Sequence, residues 1–283
     1  MSPPVTRRFV RAYPPAAPEA TEGAIWLPFR DGQLLVRDGD GGRVTLVRGD
    51  AASLGTELAP DEPLYLGTLD GAPCYAYELG AGASLALEGW REQGLRALYG
   101  RVDEAEYGLA GYASQLLYWR RSSRFCAICG QPTEPEEGTW GRRCANCGHV
   151  AYPHVTPAVL VLVTDEADRI LLASKPGWGT RYSILAGFVE PGESLEECAA
   201  REVEEEVGVV IEDLRYAGSQ PWPFPHQIMI GFTGRYARGE LKLQESEIAH
   251  AAWFTRDALP ELPPPLSLSR QMIDTWAGAG NSR

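Results

Sequence analysis

Three glutamates, Glu202, Glu205 and Glu206, stand at i, i+3 and i+4, a spacing that places all three on one face of a helix. Like charges at that spacing repel by about 0.2–0.5 kcal/mol per pair in an exposed helix. The single neighbouring arginine, Arg201, cannot offset all of them. Carboxylate oxygens gathered in this way are what Mg2+ or Mn2+ binds, commonly together with substrate phosphates. A solvated acidic face would use the same residue types, but the turn in front argues against it. Gly187 and Pro191-Gly192 fold the chain back, which brings Glu193 towards Arg201 and the Ala186 carbonyl towards the carboxylates.

A second constellation is built from sulfur. Cys126 and Cys129 form one pair, Cys144 and Cys147 another, and each pair is closed by a glycine, Gly130 or Gly148. Two such knuckles supply four thiolates to a tetrahedral Zn2+. Four protein ligands leave no position open for substrate, so this metal is structural and supplies folding energy to a segment too short to bury a core. A pair of redox dithiols is the competing reading, and two pairs at ribbon spacing favour zinc over it. Cys74 and Cys198 stand alone and read as packed thiols.

A third is the run Ser219-Gln220-Pro221-Trp222-Pro223-Phe224-Pro225-His226-Gln227, in which prolines alternate with aromatics. Proline fixes φ and removes donors, so a stiff extended loop is expected here. The rings of Trp222 and Phe224 suit stacking on a nucleobase or nicotinamide. An aromatic structural turn fits the same residues.

The elements that must position these groups can be read from pattern. Ser194 caps a helix over 195–207 with Glu197 as its capping-box partner, and Gly208 ends it. Residues 158–163 are continuously apolar and predict a strand buried on both faces, with 169–173 as its partner. Further strands are expected near 214–219, 228–236 and 252–254, with a last helix over 267–276. Upstream, short apolar runs separated by Gly and Asp turns predict strands near 33–36, 44–47 and 73–77, followed by a helix over 104–121. The expected organisation is a loose tail over 1–23, a β-rich domain with a C-terminal helix over 24–121, a zinc ribbon over 122–152 and a catalytic domain over 153–283.

The composition is that of a globular chain: 283 residues, 44% hydrophobic and 23% charged. A net charge of −12 disfavours extended nonspecific binding of DNA or RNA. No apolar run is long enough to span a membrane, and residues 1–20 lack the apolar core of a secretory signal. A cytoplasmic location is therefore expected.

The residues from Gly187 through Glu193, Arg201-Glu202-Val203 and Glu205-Glu206 to Gly208-Val209 fill every specified position of the Nudix box. The chain thus resembles Nudix hydrolases. This implies an α/β class fold, an α/β/α sandwich with a mixed sheet. The proline-aromatic run is similar to the SQPWPFPxS signature of the NADH pyrophosphatase subfamily, which also carries a four-cysteine ribbon before its Nudix domain. The one departure is Gln227 where the signature has serine. The resemblance implies metal ligation by the Ala186 carbonyl, Glu202 and Glu206, with Glu205 alongside and Glu247 completing the site. It implies substrate contacts at Arg96, Tyr152, the loop from Gln220 through Pro221, Trp222, Pro223, Phe224, Pro225 and His226 to Gln227, Glu247, and Ser269. Thr139 stands where the subfamily has an acidic contact. Gly187, Glu193, Arg201 and Gly208 are the box's structural positions.

The implied reaction is hydrolysis of NADH or NAD+ at the pyrophosphate to nicotinamide mononucleotide and AMP, with Glu206 as the leading base and Glu205 as the other candidate. A homodimer is implied as well. The NAD cap of RNA offers the same bond. Arg120, Arg121, Arg124, Arg142 and Arg143 flank the ribbon and could meet an RNA backbone, although ordinary surface charge is the favoured reading of them. ADP-ribose and diadenosine polyphosphates stay open as secondary substrates. A catalytically dead nucleotide-binding module would not need all three box glutamates.

Overall fold

The computed structural model describes residues 8–13, 21–54, 62–80 and 89–279. The chain divides into two compact units, residues 1–154 and 155–283.

The first unit begins with strands β1 (Phe9–Arg11), β2 (Ile25–Arg30), β3 (Gln33–Asp38), β4 (Val44–Thr45), β5 (Val47–Arg48), β6 (Leu64–Leu69), β7 (Ala72–Glu78) and β8 (Trp90–Gly94). They make one sheet in the order β1-β6-β7-β2-β3-β4, with β5 on β2 and β8 on β3. Only β2 and β7 run parallel in it. Its core stacks Trp26 on Tyr75 at 4.7 Å. Strand β1 lies inside the segment expected to be a loose tail. It pairs with β6, and Arg8 beside it holds Asp70 at 2.6 Å and Asp103 at 2.7 Å. Those ion pairs join residues distant in sequence, so local composition could not announce them.

Helix α1 (Glu104–Ser122) follows, started by the Asp103–Glu106 capping box. Its Trp119 indole donates to the Trp140 carbonyl at 3.2 Å, tying the helix to the ribbon. The ribbon itself contributes β9 (Thr133–Pro135), β10 (Arg142–Cys144) and β11 (Val150–Ala151), paired in the order β11-β10-β9.

The second unit contains β12 (Thr156–Thr164), β13 (Ile170–Ser174), β14 (Leu185–Phe188), α2 (Leu195–Val207), β15 (Val210–Trp222), β16 (Gln227–Arg238), β17 (His250–Phe254) and α3 (Leu268–Ala279). The mixed sheet runs β15-β16-β12-β13-β17, with β14 also on β12. All of residues 158–163 are buried, as their unbroken apolar run predicts. Alternate side chains explain why. Val159, Val161 and Val163 pack with Cys198, Ala199, Val203 and Val207 of α2, while Leu160 and Leu162 pack with Leu268, Met272 and Ile273 of α3. One strand thus feeds two cores, and the helices lie on opposite faces of the sheet. The result is the α/β/α sandwich.

The proline-aromatic run is in part strand and in part the loop expected of it. Residues 219–222 extend β15 and pair with Ile230 to Gln227 of β16. Pro221 fits there because β15 is an edge strand, where a missing N–H removes no ladder bond on the open side, while Pro223 and Pro225 lie in the turn over 223–226 that joins β15 to β16.

Candidate active site

Helix α2 starts and stops as its sequence dictates. Ser194 Oγ accepts from Glu197 N at 3.2 Å, Glu197 Oε2 accepts from Ser194 N at 2.7 Å, and Gly208 closes the helix at φ 74°. Arg201 then organises the face. Its Nε and Nη2 reach the two Glu193 oxygens at 3.0 and 2.6 Å, and Nη2 also donates to the Phe188 carbonyl at 3.0 Å. Its Nη1 reaches both Glu202 Oε1 and Glu205 Oε2 at 2.9 Å. The guanidinium holds the Glu193 carboxyl down at about 2, helped by the Glu190 N–H. One arginine therefore locks the loop to the helix and also offsets two box glutamates.

Glu206 is set apart. Its side chain is 1% exposed, against 55% for Glu205. Burial raises its carboxyl above the usual range, a shift opposed by Lys175. Lys175 Nζ lies 3.0 Å from Glu206 Oε1 and 4.0 Å from Glu247 Oε2. The other oxygen, Glu206 Oε2, is buried without a hydrogen-bond partner. The Ala186 backbone N–H also faces this carboxylate. Glu202 is similarly desolvated, which raises its carboxyl against the pull of Arg201. Its carboxylate rests on Gly187, where an added Cβ would lie 1.7 Å from Glu202 Cδ. Glycine is thus required at 187 for space, not for backbone conformation.

The structure brings Ala186, Gly187, Glu193, Arg201, Glu202, Glu205, Glu206 and Glu247 into one connected set through these contacts. The donor set fits a hard divalent cation: an orphaned buried oxygen, a second desolvated carboxylate and a half-exposed third, Glu247. Lys175 is the member that sequence reasoning missed. The available signal was compositional, since Lys175 and Lys242 are the only lysines among 26 basic residues.

Among the other expected contacts, Trp222 and Phe224 meet edge to face at 5.0 Å and 70°. Each fixes the other, and both stay partly exposed. The register runs Phe188, Ala158, Met229, Gln220 across four adjacent strands. At about 4.8 Å per strand, roughly 14 Å separates the box loop from the aromatic run. Phe188 is itself 51% exposed, an aromatic at the site's edge. Gln220 spends its amide on structure: Nε2 donates to the Leu266 carbonyl and Oε1 accepts from Leu268 N, both at 2.8 Å, so it braces the start of α3. Ser269 is buried, with its hydroxyl 3.0 Å from that of Ser267. His226 Nδ1 lies 3.1 Å from Thr156 Oγ1. Pro221 and Pro225 are exposed, Pro223 is buried and Gln227 is half-buried. Arg96 and Tyr152 belong to the first unit. Arg96 is exposed on a short turn of 3-10 helix, and the exposed Tyr152 ring lies over Gly141, whose added Cβ would meet it at 2.9 Å.

The four ribbon sulfurs lie within 4.8 Å of one another. Neighbouring pairs stand 3.5 to 3.6 Å apart, close to the separation that Zn–S bonds of about 2.3 Å impose on a tetrahedron. The knuckles are copies of each other: Gly130 N and Gly148 N each bond back to the first cysteine's carbonyl at 2.9 Å, and both glycines sit at φ 72°. The Gln131 N–H and the Asn146 side chain lower the Cys129 thiol, while contact with the other three thiols raises that of Cys147, so the four sulfurs share their protons until a metal replaces them. The ribbon is a structural zinc site. No helix among the described residues is long and apolar enough to cross a membrane.

Comparison with known proteins agrees with this geometry. Residues 23–119 match the NADH pyrophosphatase-like rudimentary NUDIX domain, 121–152 the NADH pyrophosphatase zinc ribbon domain and 154–275 the NUDIX domain. The NAD-capped RNA hydrolase NudC of Deinococcus radiodurans is 40% identical over 92% of this chain and 88% of its own length. Its counterpart from Pseudomonas fluorescens is 45% identical over 75% of this chain and 76% of its own. A solved Nudix hydrolase from Nitrosomonas europaea aligns with a TM-score of 0.45 at 20% identity, covering 56% of this chain and 94% of that one. The glutamate helix, the ribbon and a full-length relationship at this identity together make the chain a member of the Nudix hydrolase family, in its zinc-ribbon NADH pyrophosphatase branch.

Proposed function

We propose that this chain hydrolyses the pyrophosphate of NADH and NAD+, releasing nicotinamide mononucleotide and AMP, with Mg2+ or Mn2+ at the carboxylate cluster. The observation that carries the reading is Glu206, a buried carboxylate with one oxygen left unpartnered beside the desolvated Glu202. That arrangement costs stability unless a cation takes the free oxygen. The ions, when bound, supply charge neutralisation on the diphosphate and a water of lowered pKa.

The protein's own groups do the rest. Glu202, Glu206 and Glu247 hold the cations, and the Ala186 carbonyl joins them. Glu206 is the leading candidate to take the proton of the attacking water, because burial raises its carboxyl towards the range a base needs. Glu205 is the alternative, but Arg201 already occupies one of its oxygens. Arg201 and Glu193 keep the loop closed on the helix. Trp222, Phe224 and Phe188 offer aromatic surface for the base or nicotinamide, and the subfamily likeness alone also assigns substrate contacts to Arg96, Tyr152, Ser269 and the segment from Gln220 to Gln227. The zinc-ligating cysteines of the ribbon must stay reduced to hold metal, which suits a reducing compartment such as the cytoplasm. A homodimer is proposed from the subfamily likeness.

Removal of the NAD cap from RNA is the second reading, favoured by the activity for which the relatives are named. Much of the arginine cluster is already engaged. Arg121 pairs with Glu78, Arg143 pairs with Glu136, Arg142 donates to Thr133 and Arg120 to the Glu62 carbonyl. Purified protein with Mg2+ or Mn2+ should release AMP from NADH, and Glu206→Gln should lower turnover about a thousandfold or more with zinc content unchanged. Intact NADH at every divalent ion tried would sink the proposal. Turnover of NAD-capped RNA against free NADH across salt concentration separates the two substrates, since an RNA footprint weakens as salt rises.

A further inference from the structure

Lys175 follows β13 directly and precedes Pro176-Gly177. Its ammonium bridges two of the carboxylates that the reading above gives to divalent ions, at 3.0 Å from Glu206 and 4.0 Å from Glu247. A buried carboxylate without a charge partner is strongly disfavoured, so this ammonium is what allows Glu206 to sit inside the domain as an anion. An ammonium on Glu206 Oε1 and a divalent cation on the unpartnered Oε2 would share one carboxylate, where their charges repel at close range. The lysine side chain is 34% exposed, so its head group has room to leave. Lysine suits the task better than arginine. It is a single point charge on a flexible stem, whereas a guanidinium would clamp the carboxylate through a two-pronged bond and hold it.

We propose that Lys175 is a resident counter-ion of the catalytic centre. It holds Glu206 and Glu247 together before metal arrives, yields Glu206 to the incoming divalent ion, and then places its ammonium on a non-bridging oxygen of the substrate's diphosphate. The last step rests on the hydrolase reading, and the first two need only the carboxylates. The same charge therefore serves two anions in turn, opposing metal entry and favouring substrate.

The test uses full-length, zinc-loaded protein and the variants Lys175→Met and Lys175→Arg. Mn2+ binding is followed by electron paramagnetic resonance without nucleotide. Lys175→Met should bind Mn2+ about tenfold more tightly, and Lys175→Arg should not. NADH kinetics at saturating Mn2+ should then show KM raised about tenfold in Lys175→Met with kcat changed less than about threefold. These shifts have opposite sign, which a merely structural lysine would not produce. Unchanged or weaker Mn2+ binding by Lys175→Met overturns the counter-ion role. Tighter Mn2+ binding with an unchanged KM overturns the phosphate contact. If Lys175→Met does not fold, Lys175→Gln, which keeps a donor without the charge, carries the same two readouts. Wild-type protein that binds Mn2+ but leaves NADH intact would overturn the hydrolase reading, while the Mn2+ comparison still decides the counter-ion.

Discussion

The ribbon and the glutamate helix both gather ionisable side chains around one point, but they close differently. In the ribbon, four sulfurs within 4.8 Å of one another complete a shell among themselves, with backbone N–H groups supporting them. On the helix, the carboxylates are unequal: Glu205 and Glu202 share one arginine, Glu206 leans on a lysine, and one Glu206 oxygen has nothing. A complete shell of soft ligands makes a strut, whereas an incomplete shell of hard ligands leaves room for water and substrate. The difference between a structural and a catalytic metal site is therefore visible in how far the protein satisfies its own ligands.

Removing the metals one class at a time should strain this contrast most. A strong chelator that strips zinc is expected to unfold the ribbon, seen as new protease cleavage within residues 122–152, because zinc binding supplies on the order of 10 kcal/mol to such small folds. Mild chelation that takes only Mg2+ or Mn2+ should abolish turnover and leave the protease pattern unchanged. A ribbon that stays protected without zinc would break the distinction.

Next in size is Gly187→Ala. The new Cβ would collide first with the Glu202 carboxylate, the far end of a side chain. Glu202 should swing away. The expected result is a loss of about a hundredfold in kcat/KM with thermal stability lowered by no more than about 1 kcal/mol. A large fall in Tm with normal kcat/KM would mean that the close approach serves packing and not the site.

Gln220→Ala asks whether an expected substrate residue is a brace instead. Two hydrogen bonds to the chain around Leu266 and Leu268 would be lost, costing about 1–2 kcal/mol in urea unfolding. If stability is unchanged while KM rises, the bracing role is wrong and direct substrate contact is right.

The smallest effect is the acid dependence of the Glu193–Arg201 pair. The Glu193 carboxyl lies at about 2 in the folded protein against an ordinary 4.5. A depressed carboxyl stabilises the fold fully above its unfolded value and loses that contribution as pH falls towards its folded value. The Tm gap between wild type and Glu193→Gln should thus be steady above about pH 5 and shrink between about pH 4.5 and pH 2. A gap that stays constant through that range would exclude the ion pair as its source.

Much of the site is legible in the sequence, and the reasons are local. Box spacing fixes which glutamates share a helix face, Ser194 and Gly208 fix where that helix begins and ends, and paired cysteines at knuckle spacing announce a tetrahedron. The helices over 104–121 and 195–207 and the buried strand over 158–163 follow from periodicity and caps of the same short range. Proline's fixed φ and missing donor predict a stiff extended loop for the proline-aromatic run; residues 223–226 do turn, but 219–222 join the open edge of the sheet, where Pro221 removes no bond on the open side.

The sequence by itself determined the chemistry in hand: hard oxygen donors on one helix, soft sulfur donors on one ribbon, and a net negative charge. Only the tertiary structure decided which donors stay unsatisfied. Lys175 meets Glu206 across 31 positions of chain, Glu247 joins them from the segment before β17, and Gln220 turns its amide to α3. Such pairings depend on strand order and on depth of burial. Both arise from packing elements far apart in the chain, which no local pattern records.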